Sequence, residues 1–154
     1  MLALMFIMIF VGSVTAHRGI IKKEKLTIVG NVVDEKGDDV MTLVTLYKYN
    51  SSTQQSVYID QMMVEGNGHF KFKMEYNGEF MIELAANNGV NKRIMIDTEL
   101  ARAYQEDKYK FEFDLDINDT KAIDNPMSAA FIYFDAQDNG FNFSLERPMS
   151  ASAE

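Results

Sequence analysis

The chain of 154 residues is long enough for one domain with a sizeable core, and its 47% of hydrophobic residues excludes wholesale disorder. Its formal net charge of -8 at pH 7 disfavours affinity for nucleic acid or anionic lipid. Because there is no cysteine, disulfides, thiolate zinc sites and a cysteine nucleophile are excluded together.

The chain begins with an apolar run over residues 1–14, interrupted only by a glycine and a serine. The run is too short for a comfortable membrane span of about 20 residues. Val14 and Ala16 stand three positions and one position before a possible cut, which is the small-residue pattern that signal peptidase recognises. We therefore predict cleavage after Ala16. Since no Lys or Arg precedes the run, an uncleaved anchor or a misassigned start stays open as an alternative.

Three strands are predicted in the next part of the chain. The first, Lys25–Asp34, is interrupted by Gly30, and a glycine inside a strand marks a bulge or a close backbone approach. The second, Val40–Tyr49, carries apolar residues on both faces in part, which indicates a central strand. A polar loop separates it from the third predicted strand, Ser56–Val64.

Residues 64–84 contain two runs in which apolar and polar residues alternate, each introduced by a glycine turn, as in half-buried strands. The apolar faces consist of Phe70, Phe72 and Met74 in the first run and of Phe80, Ile82 and Leu84 in the second. A two-residue hairpin at Asn77-Gly78 would place Phe72 opposite Glu83 on one face. Since a shift of one residue reverses a whole strand, either the loop has an odd length or the chain crosses to another sheet. We favour the crossing, which predicts a β-sandwich.

The remaining chain continues the pattern of strands. Val90–Asp97 is a predicted strand, and Thr98–Glu106 is the one helical candidate, with an irregular crossover as the alternative. Lys108–Ile117 alternates aromatic and aliphatic residues with charged ones. Met127–Ala136 is mostly apolar and is predicted to be buried on both faces, and a turn leads from it into Phe141-Asn142-Phe143.

The segment from residue 28 to about residue 97 resembles the carboxypeptidase regulatory-like domain, a transthyretin-like (prealbumin-like) β-sandwich. The likeness is carried by strand-and-turn motifs: Ile28–Gly37, Val44–Lys48, Glu65–Phe72 and Gly78–Leu84. In that family the last two lie on different sheets, in agreement with the predicted crossing. The downstream portion, from residue 108 to residue 143, is similar to exported proteins of the Bacteroidetes type that carry such a domain.

The resemblance and the patterns predict the same organisation. We expect an all-β protein with a two-sheet antiparallel β-sandwich and extra C-terminal strands. Its parts are a signal peptide over residues 1–16, a single β-sandwich domain over residues 17–147 and a flexible tail over residues 148–154.

Transthyretin-like folds include the hydroxyisourate hydrolases, which depend on histidines, an arginine and a C-terminal Tyr-Arg-Gly-Ser signature. This chain has only His17 and His69 and ends without that signature, so the activity is not predicted. His69 lies on the polar face of its predicted strand, where an exposed histidine is the ordinary case. We assign no catalytic residue, and no serine stands in a nucleophile-elbow context.

Acidic residues are the next candidates for chemistry. The turn Asp34–Asp39 could present oxygens to calcium, but it lacks EF-hand spacing, and acidic residues favour turns on their own account. Glu112, Asp114 and Asp116 recur at about 6.6 Å along a strand, too far apart to share one metal ion. We expect them to keep an edge or an outer face soluble. No metal-binding and no cofactor-binding residue is predicted, and the scattered methionines fit core filling.

The leading hypothesis is an exported, non-catalytic module, periplasmic or secreted, for protein–protein or cell-envelope interaction. Its partner is an unknown protein or envelope component, with no nucleic acid and no membrane beyond the signal segment. The alternative is a small carbohydrate- or calcium-binding domain that uses acidic loops. An exposed aromatic stripe on one sheet would favour carbohydrate, and an apolar patch of several hundred Å², roughly, would favour a protein partner.

Overall fold

The computed structural model describes residues 25–33, 40–87, 89–117 and 130–145. The strands in these ranges are β1 Leu26–Val33, β2 Met41–Asn50, β3 Gln55–Glu65, β4 Gly68–Met74, β5 Glu79–Ala86, β6 Asn91–Asp97, β7 Tyr109–Asp116, β8 Ala130–Asp135 and β9 Gly140–Ser144. The predicted signal peptide, the acidic turn Asp34–Asp39 and the C-terminal tail lie outside the described residues.

The strands form two sheets that pack face to face. The smaller sheet has the order β4-β1-β7, and the larger has the order β3-β2-β5-β6-β8-β9. The predicted all-β sandwich is therefore confirmed. Each sheet is mixed rather than purely antiparallel, because β1 pairs with β7 in parallel and β6 pairs with β8 in parallel.

The core lies between the two sheets and is built from the alternating apolar residues of both. The most buried side chains include Leu26, Ile28, Phe70, Leu46, Ile82, Leu84, Ile94, Ile96 and Ile132. The predicted change of sheet is confirmed, since β4 pairs with β1 whereas β5 pairs with β2 and β6. Phe72 and Phe80 thus enter the same core from opposite walls.

The crossing between β4 and β5 is held by Thr98, which follows β6. The Thr98 side-chain hydroxyl donates to the carbonyl of Gly78 at 2.8 Å and accepts the Gly78 N–H at 3.0 Å. The Asn77 N–H donates to the Thr98 carbonyl at 2.8 Å. Asn77 adopts a left-handed φ of 57°, which asparagine tolerates better than most residues. The turn is therefore fixed by contacts that a simple hairpin would not have.

Gly30 marks a close approach, as the sequence predicts. It lies directly opposite Phe70 in the register of β1 and β4, and a Cβ on Gly30 would overlap the Phe70 ring. The ring covers the space that a side chain would otherwise fill, and Phe70 is fully buried. An aromatic residue that covers a strand glycine is a recognised way to stabilise such a pair.

Two sequence-based expectations need correction or refinement. The segment after β6 is an irregular crossover with a single 3-10 turn, Arg102–Tyr104, so the helical alternative is wrong and the crossover alternative is right. The predicted strand Met127–Ala136 is described only from Ala130 onward, as β8. Burial on both faces is predicted, but in β8 only Ile132 is buried and the other five residues are half-buried. The reason is that only alternate residues, Ala130, Ile132 and Phe134, pack towards the core between the sheets.

Candidate functional site

Among the residues that the structure describes, His69 and the carboxylates of β7 do not form a reactive cluster. His69 is exposed on β4, opposite Asn31. On the edge strand β7, Lys110 donates to Glu112 at 2.7 Å, and Asn31 donates to Asp114 at 2.8 Å. The hydrogen bond from Lys110 is the main reason why the pKa of Glu112 is lowered. Glu112 and Asp114 are exposed on this edge strand, as the predicted edge position requires, whereas Asp116 is half-buried.

A depression of about 360 Å³ lies beside the crossing turn, lined by Asn77, Gly78, Glu79, Asp97 and Glu99. Two of its three carboxylates accept backbone N–H groups: Glu79 from Ser51 at 2.8 Å, and Asp97 from Glu99 at 2.9 Å. Within the described ranges, no group of three or more His, Asp or Glu side chains is placed to hold a metal ion. The depression is therefore an acidic surface feature that helps to shape loops.

Aromatic rings close one end of the sandwich. The Tyr109 ring packs against the rings of Phe134 and Phe141 at centroid distances of 5.3 and 5.8 Å, and Tyr76 lies 6.3 Å from Tyr109. The Tyr76 hydroxyl donates to the carbonyl of Asp107 at 2.7 Å. Burial raises the pKa of Tyr76 and that of Tyr109. Tyr109, Phe134 and Phe141 thus pack as one aromatic cluster against the core.

The most exposed apolar surface lies on β3, at one edge of the larger sheet. Three consecutive residues, Val57, Tyr58 and Ile59, are 65%, 55% and 44% exposed. All residues from Gln55 to Gln61 are exposed, so both faces of this half of the strand lack cover. We call Gln55–Ile59 the β3 edge segment. Edge strands present unpaired N–H and C=O groups, and apolar side chains beside them favour association.

The other edges of the two sheets are of a different kind. β4 exposes Lys71 and Lys73, and β7 exposes Lys110 with its two carboxylates. Exposed charges of this kind discourage pairing with another strand. β9 is only five residues long. Neither the β3 edge segment nor β9 carries a charged residue, but the β3 edge segment exposes three apolar residues in a row, whereas β9 exposes only Phe143. The β3 edge segment is therefore the edge among these four that most favours pairing through apolar contact.

The outer face of the larger sheet adds an uncharged row that ends at this edge. Register places Tyr58 opposite Tyr47, Tyr47 opposite Met81, Met81 opposite Met95 and Met95 opposite Phe131. Because directly opposed residues share a face, these five side chains form one line across the sheet, which we call the outer row. Met81 is buried, whereas Tyr58 at the edge is mostly exposed.

The sequence predicts β3 but not its exposure. Apolar residues at consecutive positions, as in Val57-Tyr58-Ile59, occur both in strands that are covered on both faces and in strands that are exposed on both. The sequence therefore does not distinguish the two cases. The segment lacks charge and lies beside a polar loop, residues 51–54, but neither feature distinguishes an exposed strand from a covered one. Only the order of strands in the sheet shows that it lies at an edge.

In the described part of the chain, we find no helical segment with the length and apolar character needed to cross a membrane. No protein-family model matches the chain, and no curated protein matches it either. The case for a function therefore rests on the residues of β3 and their neighbours.

Proposed function

We propose that this chain is an exported, non-catalytic β-sandwich module that binds a protein partner, free or in the cell envelope, through β3. The transthyretin-like, carboxypeptidase regulatory-like resemblance supports this as an interaction module, and the apolar N-terminal run supports export. No residue is assigned a catalytic role.

The observation that carries the proposal is the exposure of Val57, Tyr58 and Ile59 in sequence along an edge strand. An extended segment of a partner can add to such an edge, because the strand supplies main-chain hydrogen bonds and the side chains supply apolar contact. Tyrosine and aliphatic residues at the centre of a contact are typical of binding surfaces.

Site-specific photo-crosslinking in the native host tests this proposal. A photoreactive phenylalanine analogue at Tyr58 is expected to give a discrete adduct with a protein, and Val57→Lys in the same chain is expected to abolish that adduct. The matched control places the analogue at Lys71, which is exposed on the edge of the other sheet. Equal adducts from both positions, or none from Tyr58, would contradict the proposal.

A carbohydrate ligand is the second candidate, and the cross-strand pair of Tyr47 and Tyr58 favours it. Two tyrosines on one face of a sheet can stack against sugar rings, because each presents an apolar face and a polar hydroxyl. A glycan array separates the two candidates. Glycan binding that Tyr47→Ala removes and Val57→Lys preserves would favour the carbohydrate function over the protein-binding one.

A further inference from the structure

We infer that the partner of β3 is a second copy of this chain, and that the two β3 edge segments pair antiparallel about a two-fold axis. This deepens the proposed function and depends on β3 being the contact strand. The pairing would join two six-stranded sheets into one continuous sheet of twelve strands. The inference follows from the charge, the faces and the register of Gln55–Ile59.

Charge is the first reason. Each copy carries a formal net charge of -8, so two copies repel at most orientations. The β3 edge segment contains no Asp, Glu, Lys or Arg, whereas Asp60 and Glu65 lie in the other half of the strand. Contacts between unlike proteins commonly use rim charges of opposite sign to select the partner. An uncharged edge offers no such selection, and it is where two acidic copies can meet without like charges in contact.

The faces of the segment are the second reason. Ser56 and Tyr58 lie opposite Tyr49 and Tyr47 of β2 and so share the outer face, while Val57 points to the other face. A two-fold axis through Val57 places Val57 against its own copy and Ser56 against Tyr58. Outer-face residues then meet outer-face residues, as antiparallel pairing requires. The self-pairing is therefore compatible with the alternation of side chains.

The register of β3 limits the length of the contact. The pairing between β2 and β3 shifts where Leu46 opposes Asp60 and Tyr47 opposes Tyr58, which leaves Ile59 as an extra residue. Such a bulge interrupts the regular ladder and restricts the free edge. Because Ile59, which would oppose Gln55, is the extra residue, regular self-pairing is confined to Ser56–Tyr58. A contact of this size predicts a dimer that dissociates on dilution, as small interfaces do.

Disulfide trapping tests the inference cleanly because the chain has no cysteine of its own. Residues directly opposed across antiparallel strands have Cα atoms about 4.5–5.5 Å apart, within the range that a disulfide spans. Purified Val57→Cys is expected to form a covalent dimer under mild oxidation at least about tenfold faster than Lys71→Cys, the exposed control on β4. Equal rates would overturn the inference.

Sedimentation velocity over a concentration series gives the second readout. The parent chain is expected to dimerise as concentration rises, and Val57→Lys is expected to stay monomeric while its circular dichroism and melting temperature match those of the parent. A parent that is monomeric throughout would overturn the inference. If the Tyr58 photo-crosslinker then still traps a different protein, the proposed function stands without the second copy. If it traps nothing, both fail.

Discussion

Gly30 and Phe70 are coupled residues, because the ring occupies the space above the glycine. Gly30→Ala is expected to lower the free energy of unfolding by about 1–3 kcal/mol through overpacking, although alanine suits a strand better than glycine. Phe70→Leu in the same chain should recover part of this loss. Denaturant melts of both single variants and the double variant measure the coupling. Strict additivity would contradict the close approach.

Thr42 and Thr98 allow one substitution to be tested in two opposite settings. Both are fully buried, but the Thr42 hydroxyl has no hydrogen-bond partner in the described structure, whereas the Thr98 hydroxyl holds Gly78. Thr42→Val is expected to stabilise the protein by about 1 kcal/mol, because an unpaired buried hydroxyl is costly. Thr98→Val is expected to destabilise it by about 1–3 kcal/mol, because it leaves the Gly78 N–H unpaired. Thermal melts decide, and effects of equal sign would refute this account.

The raised pKa of Tyr76 predicts that the folded protein becomes less stable at alkaline pH. Its pKa is raised above 10.0 mainly by burial, so the folded state holds the phenolic proton more tightly than the unfolded state does. The stabilisation is complete below pH 10, roughly, and is lost as the pH rises through the folded pKa. The free energy of unfolding should therefore fall with increasing pH above about 10. Tyr76→Phe should flatten this fall, and an unchanged slope would assign the effect to other groups such as Tyr109.

At the scale of elements, the crossing between β4 and β5 makes its own prediction. Phe72→Ala is expected to cost about 3–5 kcal/mol, because Phe72 is buried in the core and its loss leaves a cavity. Lys71→Ala, one position away on the exposed face, should cost under about 0.5 kcal/mol. Glu83→Ala should cost at most about 1 kcal/mol, since its pair with Arg93 at 3.0 Å is partly exposed on the outer face. A large loss at Glu83 with a small one at Phe72 would mean that the faces are reversed.

Much of the element pattern could be predicted from side-chain alternation. The predicted strand Lys108–Ile117 differs from β7 by one residue at each end, and the predicted strand Val90–Asp97 differs from β6 only at its start. The parity of residues 70–84 also predicts the change of sheet. The alternation of apolar and polar side chains shows which face of a strand is buried, but it does not show which other strand pairs with it. The parallel pairs β1–β7 and β6–β8 therefore could not be predicted, because they join strands far apart in the chain.

The candidate site was harder to predict than the fold. β3 and β8 are both rich in apolar residues at consecutive positions, yet β3 is exposed over seven residues and β8 is mostly half-buried. The difference arises from neighbours: β3 lies at an edge, whereas β8 is enclosed between β6 and β9. The local sequence does not determine which strands lie alongside β3. The exposed edge of β3 that we propose as a contact can therefore be identified only from the order of strands in the sheet.

At the scale of the whole molecule, export is the property to test first. We expect the native host to remove residues 1–16, because Val14 and Ala16 fit the signal-peptidase pattern. Intact-mass measurement of the exported protein should give a chain that begins at His17. A protein that retains Met1 and fractionates with membranes would support the uncleaved anchor instead. Ala16→Lys is the matched variant, since it should block cleavage without changing the domain.

The parallel pairing of β1 and β7 also sets an order in time. Asn31 and Asp114, 83 residues apart, are joined by a hydrogen bond across these two strands. β1, the middle strand of the smaller sheet, therefore gains its second neighbour, β7, only after most of the chain has been synthesised. Contacts between such distant segments slow folding, because a long loop must close before they form. A polypeptide that threads a translocation channel must stay unfolded until it has passed. For the export that we propose, late pairing of β7 would keep the smaller sheet incomplete during that passage.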